Sequence, residues 1–142
     1  MKKLTVEVLT QEGLSFAGEA DLLLAPSTEG QIGILPGHAS LLTRLGAGEL
    51  FILAGPKTEI LAIGGGTLDV HSNKVTVLAD SAIRADEIDI YAVEQAKKKA
   101  EAALKKSLSE REYVLAEADL RRAILELKVA RRRHLSRTGF EE

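Results

Sequence analysis

No glycine or proline occurs between Gly66 and Gly139, and this gap divides the 142 residues into two regions with different repeat periods. Ahead of it, short apolar runs alternate with turn residues. Beyond it, from Asp86 onward, apolar residues recur at three- and four-residue intervals. The first pattern reads as β-structure and the second as helix. The predicted fold is segregated, β then α. An antiparallel β-sandwich occupies residues 1–85, an antiparallel two-helix hairpin residues 86–138, and a short tail residues 139–142.

In the first region Leu4, Val6 and Val8 alternate with Thr5, Glu7 and Leu9, giving one strand an apolar face. Leu22–Ala25 is a denser run, stopped by Pro26-Ser27. Leu50–Leu53, Glu59–Ile63, Thr67–Val70 and Val75–Leu78 are further strand candidates. Gly46, Gly48, Gly55-Pro56 and Ser72-Asn73 read as the breaks between them. Gly64-Gly65-Gly66 lacks the lysine and following helix of a phosphate loop, so it reads as a bend or bulge between strands.

In the second region Asp86, Glu87 and Asp89 place carboxylates at a helix start, where they meet unpaired N–H groups and the positive end of the helix dipole. This helix is expected to run to about Lys106. Ser107-Leu108-Ser109 breaks it, and Ser109 with Glu112 forms a capping box for a second helix reaching about His134. Val93, Ala96, Ala100, Ala103 and Ser107 form one seam; Tyr113, Ala116, Leu120, Ala123, Leu127, Ala130 and His134 form the other. Alanine-rich seams allow close axes but bury little area, at about 0.8 kcal/mol per CH₂. The residues leave two readings open: a permanently closed hairpin, or one that closes when docked and can open.

Composition excludes several functions. There is no cysteine, so disulfides, thiolate metal sites and a cysteine nucleophile are ruled out. His38, His71 and His134 share no ligand spacing, so no metal site is expected, and no catalytic constellation is present. His71 reads as a solvated strand end. No apolar run reaches the roughly 18 residues that span a bilayer, and Glu7 and Glu12 interrupt any signal-like start. The expectation is a cytosolic chain without a targeting segment. Net charge is −2 but uneven: −4 over residues 1–86 and +2 over residues 87–142. Arg121, Arg122, Lys128, Arg131, Arg132, Arg133 and Arg137 stand against Glu126 alone between residues 121 and 137. This run reads either as a solvated helix face or as a surface for an acidic partner. Nucleic acid is disfavoured, because no aromatic platform or reading motif accompanies the arginines.

The most distinctive segment runs from Glu29 to Leu42. Physically it is a short strand bracketed by Gly30 and Gly33, then a rigid Pro36-Gly37 turn presenting His38, then a return. Its Gly30, Gly33, Leu35, Pro36, His38 and Leu41 resemble the G-x-x-G-x-L-P-x-H-x-x-L pattern of the epsilon subunits of F-type ATP synthases. Gly64–Val70 is similar to that family's G-G-x-L-E-V strand, Val75–Ala79 to its closing strand, and Ile88-Asp89 to its domain junction. The resemblance spans essentially the whole chain.

The resemblance implies about ten short strands and a non-catalytic subunit of a proton-translocating ATP synthase. The sandwich would bind the gamma subunit and rest on the c-subunit ring, with Gln31, Gly33, Pro36 and His38 as ring contacts. For His38, satisfaction of a local carbonyl is the other reading. The hairpin would be regulatory, with Arg121, Arg122, Arg131, Arg132 and Arg133 meeting the alpha and beta subunits of the catalytic head when extended. Such a chain would be peripheral to the cytoplasmic face of a bacterial plasma membrane, or less readily a thylakoid, without inserting into it. Some relatives bind ATP through I/L-D-x-x-R-A. Ile88 and Asp89 match, but Ala92 and Val93 replace the motif's arginine and alanine, Lys99 replaces a second arginine, and Glu126 replaces another. Arg122 fits a third. No cofactor and no tight ATP binding are therefore expected, with weak binding through Asp89 and Arg122 the most that remains. The competing class is a free-standing sandwich adaptor with a helical interaction arm.

Overall fold

The computed structural model describes residues 2–106 and 108–139, with side-chain environments through residue 132. Ser107 and the side chains of Arg133, His134 and Arg137 therefore lie outside the described residues. The chain divides into two compact units, Met1–Arg84 and Ala85–Glu142.

The first unit contains eight strands: β1 (Leu4–Thr10), β2 (Gly13–Ala20), β3 (Leu22–Ser27), β4 (Gly30–Ile34), β5 (Leu41–Ala54), β6 (Lys57–His71), β7 (Lys74–Ala79) and β8 (Ala82–Arg84). They form one continuous sheet in the order β2-β1-β7-β6-β5-β3-β4, with β8 pairing β6. The sheet encloses a single core that includes Leu4, Val8, Leu23, Ile34, Leu50, Ile63, Leu68 and Val77. The alternation in β1 holds, with Leu4, Val6 and Val8 all fully buried.

The strand count is eight rather than about ten, and the glycines explain the difference. Gly46 and Gly48 lie inside β5, and Gly64–Gly66 inside β6, instead of separating strands. The two long strands stay in register across this stretch, with Leu45 opposite Gly66 and Ala47 opposite Gly64. The inward parity nevertheless changes there. Leu61 and Ile63 face the core before the glycines, Leu68 and Val70 after them; on β5, Leu45 faces in before and Leu50 and Ile52 after. Residues an odd number apart should face opposite sides of a regular strand. Both strands therefore turn over together at the glycines, which lets one sheet fold around its own core. Gly66 has φ 144°, and a Cβ there would lie 2.0 Å from the Leu78 carbonyl oxygen. Only glycine fits this corner.

Two further expectations are corrected. The sheet is not wholly antiparallel, because β1 pairs β7 in parallel, Thr5 opposite Lys74 through Leu9 opposite Leu78. The long path through β2–β6 makes that return possible, whereas a tight hairpin could not. Pro26 does not stop its strand. It pairs with Gln31 of β4, and the β3–β5 register breaks between Leu24 and Ser27, so its missing N–H falls beside the break.

At one end of the sheet Asp21 joins three segments. Its carboxylate accepts from Lys3 Nζ at 2.6 Å and from the Gly55 N–H at 2.7 Å, while its own N–H donates to Leu53 O at 2.7 Å. The Lys3 hydrogen bond, followed by the Gly55 N–H, holds this carboxyl below its ordinary value of 3.8.

The second unit begins with a 3₁₀ turn, Ala85–Glu87, followed by α1 (Ile90–Leu104) and α2 (Glu110–Gly139). Asp86 and Glu87 thus precede the helix they were expected to open. Asp89 is the N-cap, its carboxylate accepting from the Ala92 N–H at 3.1 Å. The expected capping box is formed: Glu112 N–H donates to Ser109 Oγ at 3.2 Å, and Ser109 N–H and Oγ–H donate to Glu112 Oε1 at 3.4 and 2.8 Å. α2 packs along α1 and against the 3₁₀ turn. Ala116, Ala123, Leu127 and Ala130 are buried along α2, as the seam requires, and Leu120 is half-buried, but Tyr113 at the start of the expected seam is exposed and Val129, outside it, is fully buried. On α1 the phase shifts slightly. Ala96 is exposed and Lys97 half-buried, so the covered residues are Val93, Lys97, Ala100, Ala103 and Leu104. A 3.6-residue turn accommodates either phase, and a lysine can cover apolar surface with its methylene stem.

Candidate functional site: the arch after β4 and the basic face of α2

The arch grows from an edge. β4 is the last strand of the sheet, hydrogen-bonded on one side only to β3. Gln31 and Gly33 are exposed on it, while Ile34 is fully buried and anchors its end. The chain then needs only residues 35–40 to reach β5. Leu35 is exposed at 58%. Pro36 and Gly37 make the turn, Gly37 taking φ 87°, and His38 N–H donates back to Leu35 O at 3.1 Å.

His38 is half-buried, with Nδ1 2.7 Å from Ala39 O. A carbonyl can only accept, so Nδ1 carries a proton and, in the neutral ring, Nε2 keeps an accepting lone pair. The two readings of His38 are therefore compatible: one nitrogen satisfies a local carbonyl, and the other remains for a partner.

The arch is tied to the β6–β7 turn, 36 residues away in sequence. Gly37 N–H donates to Asn73 Oδ1 at 2.7 Å, and Ser40 Oγ lies 3.3 Å from His71 Nδ1. Ser72 and Asn73 take φ 48° and 64°, the left-handed pair of a two-residue hairpin turn. His71 is an exposed strand end as expected, but it is bonded to Ser40 rather than merely solvated. The turn was legible from Ser72-Asn73; its bonds to the arch carry no local signal.

Among the described residues the arginines of this basic run on α2 are outward, with Arg121 and Arg122 exposed by 71% and 65% of their side chains, and Arg131 and Arg132 also exposed. Arg121 pairs with Glu117 one turn earlier, and Arg122 Nε lies 3.9 Å from Glu126 Oε2. Glu117 lies outside the basic run, so the run does not point to it, although its i,i+4 spacing to Arg121 does. The two residues expected to hold nucleotide weakly are otherwise engaged, Asp89 in its helix cap and Arg122 beside Glu126. Among the described residues no group of three or more His, Cys, Asp or Glu side chains could hold a metal ion. The Gly64 N–H donates to Ser81 O at 2.9 Å and Gly65 O accepts from Asp80 N–H at 2.9 Å, so the triple-glycine corner is committed to the sheet.

Two family models match the two units in turn. Residues 3–85 match the beta-sandwich domain of the ATP synthase delta/epsilon chain, and residues 86–131 match its long alpha-helix domain. The chain belongs to the ATP synthase delta/epsilon family. It is 45% identical over 135 residues to the ATP synthase epsilon chain of Acidithiobacillus ferridurans, covering 95% of this chain and 94% of that one. It is 46% identical over 134 residues to the epsilon chain of Dehalococcoides mccartyi strain CBDB1, covering 94% and 96%. Among solved structures, a chain of the Euglena gracilis mitochondrial ATP synthase (OSCP, F1 and c-ring) superposes with a TM-score of 0.74 at 23% identity, covering 90% of this chain and 80% of that chain. A chain from the central stalk and c-ring of the Tetrahymena thermophila mitochondrial enzyme gives 0.61 at 16%, covering 91% and 97%. These two share the fold. Membership of the delta/epsilon family makes this chain an accessory subunit of an ATP synthase, with catalysis residing in other chains.

Proposed function

We propose that this chain is the epsilon subunit of the central stalk of a proton-translocating ATP synthase, that it couples rotation of the c ring to the catalytic head, and that its C-terminal helices restrain ATP hydrolysis. The observation that carries the first part is the arch, whose Gly33, Leu35, Pro36 and His38 match the family pattern on a loop tied at both Gly37 and Ser40. Gln31, Gly33, Pro36 and His38 meet the c ring there, with Nε2 of His38 as the acceptor left after Nδ1 bonds Ala39. The gamma subunit binds the sandwich. Association with the membrane goes through the ring, at the cytoplasmic face; no helix among the described residues is long and apolar enough to cross a membrane.

Restraint of hydrolysis rests on α2. Its buried positions among the described residues are Ala116, Ala123 and Ala130 with two larger side chains, Leu127 and Val129. Three buried alanine methyls at about 0.8 kcal/mol each contribute roughly 2 kcal/mol, and Leu127 and Val129 about 2 more each. That is small enough for another surface to compete. The arginine pairs on the outer face are exposed i,i+4 pairs, each worth about 0.2–0.5 kcal/mol. Arg121 and Arg122 can therefore exchange intrahelical carboxylates for those of the alpha and beta subunits at little cost, and Arg131, Arg132 and Arg133 extend the same basic run toward them. With Asp89 and Arg122 already engaged, the hairpin does not bind ATP tightly.

Reconstitution of the enzyme with a chain lacking residues 108–142 tests the regulatory part. Hydrolysis should rise while the shortened chain still co-purifies with gamma and the c ring. Unchanged hydrolysis removes the regulatory assignment; loss of co-purification by the full chain removes the stalk assignment in favour of a free-standing adaptor.

A further inference from the structure

We infer that Asn73 is a positioning residue for the rotor-facing arch: its side-chain carbonyl fixes Gly37, and through Gly37 the direction in which His38 points. The inference rests on the proposed contact between the arch and the c ring. Three observations support it. The arch crosses from β4 to β5 in six residues, of which Leu35, Gly37, Ala39 and Ser40 are exposed. Apart from its anchors in the sheet it is held by the His38-to-Leu35 turn bond, the Gly37–Asn73 bond and the Ser40–His71 contact. The Gly37–Asn73 bond is the shorter of the two ties to another segment, 2.7 Å against 3.3 Å, and it meets the glycine at the apex of the turn.

Asn73 is placed to do this by its own backbone. At φ 64° it occupies the left-handed region that asparagine tolerates better than most side chains. Its main-chain carbonyl is occupied separately, accepting from the Thr5 N–H at 2.8 Å beside the parallel β1–β7 pair. The side chain is half-buried between the two loops. Backbone and side chain thus have separable tasks: one makes the hairpin turn and receives β1, the other holds the arch. A loop that transmits a lateral load needs such a tie, because a glycine with a free N–H at the apex of a turn can rotate its peptide planes with little resistance.

The separation dictates the test. Asn73→Gly keeps the left-handed backbone and the Thr5 bond but removes the acceptor for Gly37. Asn73→Asp keeps an acceptor of the same reach in a residue that also tolerates this conformation. Both full-length variants would be measured for Gly37 amide exchange by NMR, for thermal unfolding, and for binding to the purified detergent-solubilised c ring, beside His38→Ala. In Asn73→Gly, Gly37 exchange should quicken and ring binding weaken, each by roughly three- to tenfold, the equivalent of one lost hydrogen bond. Unfolding should remain cooperative, and Asn73→Asp should restore both values. Unchanged Gly37 exchange in Asn73→Gly, or failure of Asn73→Asp to restore it, overturns the inference. If exchange quickens and His38→Ala weakens binding but Asn73→Gly does not, the tie is real and positioning is refuted while the ring contact stands. If neither variant weakens binding, the ring contact itself falls, and the inference with it.

Discussion

Placing leucine at Ala123 should open the helical hairpin. Ala123 is 2% exposed and lies on the same face of α2 as Ala116, Leu127 and Ala130, which are also buried. Leucine adds three carbons where the closed seam leaves almost no free surface. Forcing extra methylenes into a packed site costs typically about 1–3 kcal/mol. In the open hairpin the same side chain meets water, and the helix propensities of alanine and leucine differ by only a few tenths of a kcal/mol. The net effect is about 2 kcal/mol against closure, roughly a 30-fold change in the opening equilibrium. α1 reports it directly, because a 15-residue helix is marginal in water without its partner. Amide exchange of Val93–Leu104 in the isolated full-length chain should accelerate by about that factor in Ala123→Leu. Ala118→Leu, at an exposed position of α2, is the control and should leave exchange unchanged. In the assembled enzyme the opened variant should hydrolyse ATP more slowly than the native one. Unchanged or slower exchange of α1 in Ala123→Leu would refute the claim that alanine sets the closeness of this seam.

Two predictions concern the sandwich. Gly66→Ala should destabilise it by at least about 2 kcal/mol, combining a strained backbone with overlap on a main-chain oxygen that cannot move without breaking β7; a urea midpoint indistinguishable from the native chain would contradict the corner assignment. Asp21, whose carboxyl is lowered by Lys3 and the Gly55 N–H, contributes stability above its unfolded value of 3.8 that is lost as pH falls through the lowered folded value. Asp21→Asn should therefore reduce the loss of stability on acidification below about pH 4, measured by thermal unfolding across pH 2–6; an acid profile parallel to the native one would refute the role of Asp21.

What the sequence makes legible follows how local each determinant is. The capping box needs only Ser109 and Glu112, three residues apart, and it forms as read. The α2 seam needs only a repeat, and Ala116, Ala123, Leu127 and Ala130 obey it. The strand count fails at Gly46–Gly48 and Gly64–Gly66 because glycine signals permissive dihedrals without saying whether the chain turns back or turns over. That choice is made by register with another strand, as the pairing of Leu45 with Gly66 shows. The parallel closure of β1 on β7 is likewise invisible, since Thr5 and Lys74 are partners across nearly the whole sandwich.

The candidate site shows the same division within one loop. The arch itself, with Gln31 and Gly33 exposed and Pro36 and His38 half-buried, is legible because its residues form an ordered string whose spacing the turn itself imposes. Its supports are not. Asn73 and His71 belong to a hairpin whose local role is already complete, and nothing in Ser72-Asn73 announces that a side-chain carbonyl also reaches Gly37. A pattern can name the groups offered to a partner, while the stiffness with which they are offered is set by bonds between segments far apart in the chain. For a subunit proposed to pass torque rather than catalyse, that stiffness would be the functional quantity, residing in the Gly37–Asn73 and Ser40–His71 ties as much as in His38.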